Sequence, residues 1–178
     1  MKVLAIGSHP DDIELGCGGV LAKAVIAGHA VYTIIMSGKT SSDYNNNIIR
    51  TQSEVDLESF SAMNELGVTN VKLLDFPDKD IPYNSKSVEG LDSLITELQP
   101  DIIYSHWPFD THQDHSNTSL STISASRYFN SILMVEPIPP SGRSYLSFRP
   151  QVYVDISDVI EMKTNALKKH ASQYQRYG

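Results

Sequence analysis

Short apolar runs alternate along the chain with longer stretches in which apolar residues recur every three or four positions. "KVLAIG" (2–7), "AVYTIIM" (30–36), "VKLLDF" (71–76), "DIIYSH" (101–106), "SILMVE" (131–136) and "QVYVDIS" (151–157) are brief, rich in β-branched residues and bounded by turn residues, which predicts strands. Helical spacing appears from Ile13 to Ala27, where Gly28 suits a left-handed C-cap. It recurs after Arg50, through Val55, Ala62, Met63 and Leu66 to a stop at Gly67, and again through Val88, Leu91, Ile95 and Leu98 before Pro100. Thr118–Tyr128 and Asp158–Gln173 complete the predicted helices, whereas "SGKTSSDYNNN", 77–85 and "WPFDTHQDHSN" read as loops.

Strands and helices therefore alternate, and the strands are too apolar to leave one face in water. That combination predicts a Rossmann-like three-layer α/β/α sandwich with a mostly parallel sheet. In such sheets the ligand crevice lies beyond the carboxyl ends of the strands, where the strand order reverses.

Composition narrows the function more than the fold. A chain of 178 residues with 40% hydrophobic content suits a single domain, residues 1–178, around one core. Its net charge of -7 and lack of any Lys/Arg cluster argue against nucleic acid as a partner. Cys17 is the only cysteine, so no disulfide closes within the chain and no Cys-x-x-Cys motif exists. The N-terminus lacks the apolar length of a signal peptide, and no stretch is long enough to span a membrane. A cytoplasmic protein with no membrane partner is the expectation.

The charged residues raise the chemical question. "SHPDDIELGCGG" puts a histidine and two adjacent aspartates where the first buried strand hands over to a helix. Asp at such a turn can simply cap the helix. Two like charges at a core edge, however, are costly unless hydrated or neutralised, and a bound cation neutralises them. A second cluster, "HWPFDTHQDH", follows a different strand and supplies His106, Asp110, His112, Asp114 and His115. If the two turns converge at one sheet edge, two histidines and one carboxylate make the three-ligand set of a catalytic zinc. His9 and Asp12 are three apart, as are His112 and His115, so spacing leaves open which members bind. The same set also suits non-haem Fe(II), and a non-catalytic binding module on this fold is a further reading.

"HPDD" after the first strand, "HQDH" near the middle and "KTNALKKHASQ" near the end are together similar to the LmbE-like, or PIG-L, zinc-dependent N-deacetylases. The similarity runs through "ELGV", "PDIIYSHWPFDTHQDH" and "VYVDIS" to "HASQ". Carried over residue by residue, it implies His9, Asp12 and His115 as zinc ligands and Asp11 as the general base toward the water that the metal activates. His112 is then the imidazolium that steadies the oxyanion, with Asp114 as its orienting and charge-tuning partner. Arg50 and His170 are implied as substrate-binding residues, although the family's usual Arg position falls on Val55, with Glu58 as the acid that follows. The resemblance further implies removal of acetyl from an N-acetylglucosaminyl-type amino sugar, a homo-oligomeric state, and a C-terminal extension in relatives beyond the point where this chain stops. A non-sugar N-acyl substrate is the alternative.

Overall fold

In the computed structural model, residues 1–173 are described apart from Tyr44, Asn46, Asn130 and Ser141. Five strands form the central sheet: β1 (Lys2–Gly7), β2 (Ala30–Ile35), β5 (Asn70–Leu73), β6 (Ile102–Ser105) and β7 (Ile132–Met134). Their order is β5-β2-β1-β6-β7, and every neighbouring pair is parallel. Successive connections run one way from β1 through β2 to β5 and the other way from β6 to β7. The order therefore reverses between β1 and β6, which are direct neighbours.

Each face of the sheet buries its own cluster, because successive side chains of a strand point to opposite faces. Val3 and Ala5 of β1 pack with Ile13, Cys17 and Leu21 of α1 (Asp12–Ile26), with Ala62 and Met63 of α2 (Gln52–Glu65), and with Ala166 of α5 (Ile160–Lys169). Leu4 and Ile6 face the other way, onto Leu91 and Ile95 of α3 (Ser85–Leu98) and Ala125 of α4 (Gln113–Ala125). The expected three-layer architecture is what the chain adopts. Gly28, with φ 78°, ends α1 in the left-handed conformation its position predicts.

Three expectations need correction. The stretch read as one polar loop contains a small antiparallel ribbon, β3 (Ser41–Ser42) with β4 (Ile48–Arg50). Arg50 ends that ribbon, and α2 starts after it, with Thr51 and Glu54 forming a capping box. Second, "QVYVDIS" forms no strand. Its alternation is strand-like, but it has no ladder partner among the described residues, and Val152, Tyr153 and Val154 stay exposed while Ile156 packs against the core. A 3₁₀ turn, Ser157–Val159, then leads into α5, which ends at Lys169.

Third, α4 begins at Gln113, five residues before the expected start at Thr118. Hydrophobic periodicity fails here because the buried face of α4 is built from hydroxyls: Thr118, Ser119, Ser121 and Thr122 are inaccessible. Each is satisfied across the layer. Ser8 Oγ donates to Thr118 Oγ1 at 2.9 Å, Ser119 Oγ to the His106 carbonyl at 2.6 Å, and Ser105 Oγ to Thr122 Oγ1 at 3.2 Å. These bonds tie α4 to the ends of β1 and β6.

Helix α1 can approach the rest of the fold because it presents glycine there. A Cβ on Gly19 would lie 2.7 Å from Ile156 Cδ1 and 3.0 Å from its Cβ. Gly19→Ala should therefore destabilise the protein by about 1–3 kcal/mol through overpacking. Gly90→Ala in α3, where a Cβ meets nothing within 4 Å, should stabilise it by up to ~1 kcal/mol. Denaturant unfolding of the two variants checks both signs.

Candidate metal centre

The turn after β1 and the turn after β6 meet at the reversal of strand order, and Asp12 is where they join. Its Oδ2 accepts the amides of Ser8 (3.1 Å) and His9 (2.7 Å), so the carboxylate folds back over its own turn. The same oxygen lies 3.3 Å from His9 Nδ1 and 3.3 Å from His106 Nε2, while Oδ1 lies 3.3 Å from His115 Nε2. Burial pushes the Asp12 carboxyl upward, but the neighbouring His115 and His106 imidazoles outweigh it and hold the group well below the usual carboxylate range.

Asp11 differs from its neighbour in every respect. It is the N-cap of α1 at φ 108°, a left-handed conformation that a non-glycine residue keeps only when its surroundings hold it. Its side chain makes no capping hydrogen bond. Burial, reinforced by the charge of Asp12, raises its carboxyl to about 7. One aspartate is thus held ionised while its neighbour is pushed up toward neutrality, the separation expected of a charge-holding group beside a proton-exchanging one.

His9 and His115 are each backed by a carboxylate on the nitrogen that faces away from Asp12. His9 Nε2 lies 2.9 Å from Asp114 Oδ2 and 3.5 Å from Asp78 Oδ1. His115 Nδ1 lies 2.9 Å from Asp110 Oδ2. Burial opposes charge on both rings, yet these carboxylates and Asp12 raise His9 to about 10 and His115 to about 9. His112 caps α4, its Nδ1 accepting the Asp114 amide at 3.3 Å, and its ring stacks on His115 with centroids 4.4 Å apart. Burial and the neighbouring His115 and His9 lower its pKa. His106 is buried, takes the Ser8 amide on Nε2 at 3.0 Å, and is likewise held down by burial.

Five of the expected site residues therefore share one pit, His9, Asp12, His112, Asp114 and His115, and Asp11 adjoins them on the same turn, where the charges of Asp12, His170, Glu14 and Arg50 act on it. Among the described residues, three overlapping groups have ligand atoms within 4.8 Å of one another: His9–His112–His115, Asp12–His106–His115 and His9–Asp78–Asp114. The expected zinc ligands span the first two. A divalent cation fits the pit's chemistry: a buried, ionised carboxylate faces imidazole nitrogens, and carboxylates on the far nitrogens orient the rings as metal-ligating histidines require. Asp114, expected beside His112, has its carboxylate on His9 Nε2 and on the Ile81 amide, whose N–H it accepts at 3.1 Å.

Arg50 and His170 lie behind Asp11. Arg50 is 4% exposed; its Nε donates to Ser41 Oγ at 3.3 Å, and Nη1 is 3.8 Å from Glu58 Oε2. His170 is 1% exposed, with Nε2 2.7 Å from Glu14 Oε1. Burial would lower its pKa, but Glu14 raises it. Residues not singled out from the sequence complete the surroundings: Asp78, Glu14, and Asp110 as the partner of His115. Asp110 is five positions before His115 and was visible as an acid, but only the fold shows that its carboxylate turns back onto that ring.

Comparison with known proteins identifies the family. Residues 4–126 match the PIG-L family, described as GlcNAc-PI de-N-acetylase. The diacetylchitobiose deacetylase of Thermococcus kodakarensis is 29% identical over 97% of this chain and 70% of its own length. The "uncharacterized deacetylase YaiS" of Escherichia coli K12 is 33% identical over 96% of this chain and 90% of its own. The 4-carboxy-2-hydroxymuconate hydratase of Pseudomonas putida KT2440 superposes with a TM-score of 0.81 at 21% identity, covering 97% of this chain and 80% of that one; this likeness shows the fold alone. With the family matched over residues 4–126 and a relative 33% identical over nearly its whole length, the chain belongs to the PIG-L family.

Proposed function

We propose that the protein is a zinc-dependent hydrolase that removes acetyl from an N-acetylated amino sugar of the N-acetylglucosaminyl type, giving a free amine and acetate. The observation that carries this reading is the convergence of two turns on Asp12, whose carboxylate lies 3.3 Å from His9 Nδ1, His106 Nε2 and His115 Nε2, with Asp11 next to it in the chain. The matched deacetylases, whose names specify diacetylchitobiose and N-acetyl-alpha-D-glucosaminyl L-malate, support the sugar class.

His9, Asp12 and His115 would hold the zinc. When bound, zinc supplies Lewis acidity, which acidifies water and polarises a carbonyl. Asp11 accepts the proton that the attacking water loses and returns it to the departing amine, since the C–N bond breaks only if nitrogen leaves protonated. His112 places an N–H or its cationic form at the oxygen where negative charge develops. Asp114 tunes that ring through its charge and orients His9 through its hydrogen bond. Arg50 is assigned to a polar substituent of the sugar on the family resemblance; its Nη1 makes no hydrogen bond among the described residues and lies 3.8 Å from Glu58 Oε2. His170 stands behind it toward Glu14.

No helix among the described residues is long and apolar enough to cross a membrane. Cys17 is free and buried, which supports the cytoplasm as the compartment.

The direct test is incubation of the zinc-loaded protein with N,N'-diacetylchitobiose and a panel of N-acetyl compounds, measuring primary amine and acetate in equal amounts. Asp11→Asn should lower kcat by about 10²–10⁴-fold while zinc stays bound. Undiminished turnover in that variant contradicts the assignment.

The carboxylate behind His115 makes a separate prediction. Asp110→Asn should weaken zinc binding by about 10–100-fold in a chelator competition, because the ring loses the partner that fixes and polarises it. Zinc must also displace protons from His9 and His115, whose folded pKa values are raised, so affinity in the unsubstituted protein should climb from pH 6 to pH 8.

A further inference from the structure

The chain places three acids, Asp11, Asp12 and Glu14, within four positions at the start of α1, the two aspartates half-buried and the glutamate fully buried. The imidazoles around the metal pit compensate Asp12. Glu14 is fully buried. Its Oε1 meets His170 Nε2 at 2.7 Å, a contact between residues 156 positions apart. Among the described residues Glu14 Oε2, His170 Nδ1 and Arg50 Nη1 have no hydrogen-bond partner, and the charges of Glu14, His170 and Arg50 all act on Asp11. His170 is 1% exposed and so sealed from a substrate in this conformation.

The segment that carries His170 is clamped a second time. The Ser172 amide donates to Glu58 Oε1 at 2.9 Å and its hydroxyl donates to Glu58 Oε2 at 2.7 Å, tying the chain after α5 to α2. Glu58 is also the acid nearest Arg50 Nη1. The end of α5 therefore reaches α1 through His170 and α2 through Ser172. Asp11 needs such support. Its backbone is left-handed, its side chain makes no capping bond, and its carbonyl accepts only the ordinary helical bond from the Leu15 amide at 2.9 Å.

We propose that Glu14 and His170 form a positioning pair for Asp11: the buried contact pins the first turn of α1 to the end of α5 and keeps the base's carboxylate in place. Neither residue touches the substrate. This rests on the reading of Asp11 as the general base. Without His170, buried Glu14 loses the side chain that is hydrogen-bonded to it among the described residues, and the first turn of α1 loses its tie to the end of α5. "HASQ" near the end of the chain is thus a brace for "HPDD" near its beginning.

Two readouts on the zinc-loaded full chain test the pair. Glu14→Gln and His170→Asn should each speed backbone hydrogen exchange in the peptide covering residues 8–16, with exchange in α3 unchanged. In the deacetylation assay on N,N'-diacetylchitobiose, each should lower kcat about tenfold, leaving KM and zinc affinity within about twofold. The same substitutions in an Asp11→Asn background should cost nothing further, because residues acting through one group are not additive. His170→Gln, which keeps a polar side chain of similar reach, serves if the Asn variant unfolds. Unchanged exchange at 8–16, or equal kcat losses with and without Asp11, overturns the proposal. If Asp11→Asn turns over normally, the general-base reading fails on its own and the exchange result still decides the pair.

Discussion

Everything at this site depends on one buried carboxylate. Asp12 accepts two backbone amides of its own turn and faces three imidazoles from two separate segments, so it is at once the cap of the β1–α1 turn and the electrostatic hub of the pit. A buried anion of this kind is stable only while cations or a metal surround it. That requirement draws His106 and His115 toward the end of β1 and gives the reversal of strand order its chemical character.

Two layers of carboxylates then give the histidines unequal roles. Those with a carboxylate on the far nitrogen, His9 and His115, are oriented and made basic, as ligands should be. His112 has no such hydrogen bond to an acid among the described residues, caps a helix and is held below its ordinary pKa by burial. The fold alone would not specify this division, since a hydratase shares the architecture.

Most of the scaffold was legible in the sequence, and for a physical reason. Strands β1 and β2 are buried almost throughout, so most of their residues are apolar and the runs are unmistakable, and β6 continues the pattern with Ile102 and Ile103. "HPDD" and "HWPFDTHQDH" follow two such strands, which placed them at one edge before their geometry was known. What could not be read depends on contacts distant in sequence. α4 hides behind buried hydroxyls that look like a loop. "QVYVDIS" has the alternation of a strand and no neighbour to pair with. Arg50 could as readily have been a surface residue, and only the β3–β4 ribbon turns it inward. The pairing of Asp114 with His9, and of Asp110 with His115, follows from how two turns meet rather than from spacing along either one.

The central claim is that His9, Asp12 and His115 together hold one zinc ion beside an Asp11 left free. Anomalous diffraction at the zinc edge, on crystals of the zinc-loaded protein, tests it most directly. The account predicts a single strong peak within bonding distance of those three side chains and of no oxygen of Asp11. A peak seated on Asp78 and Asp114 without Asp12, or no peak at saturating zinc, would contradict it.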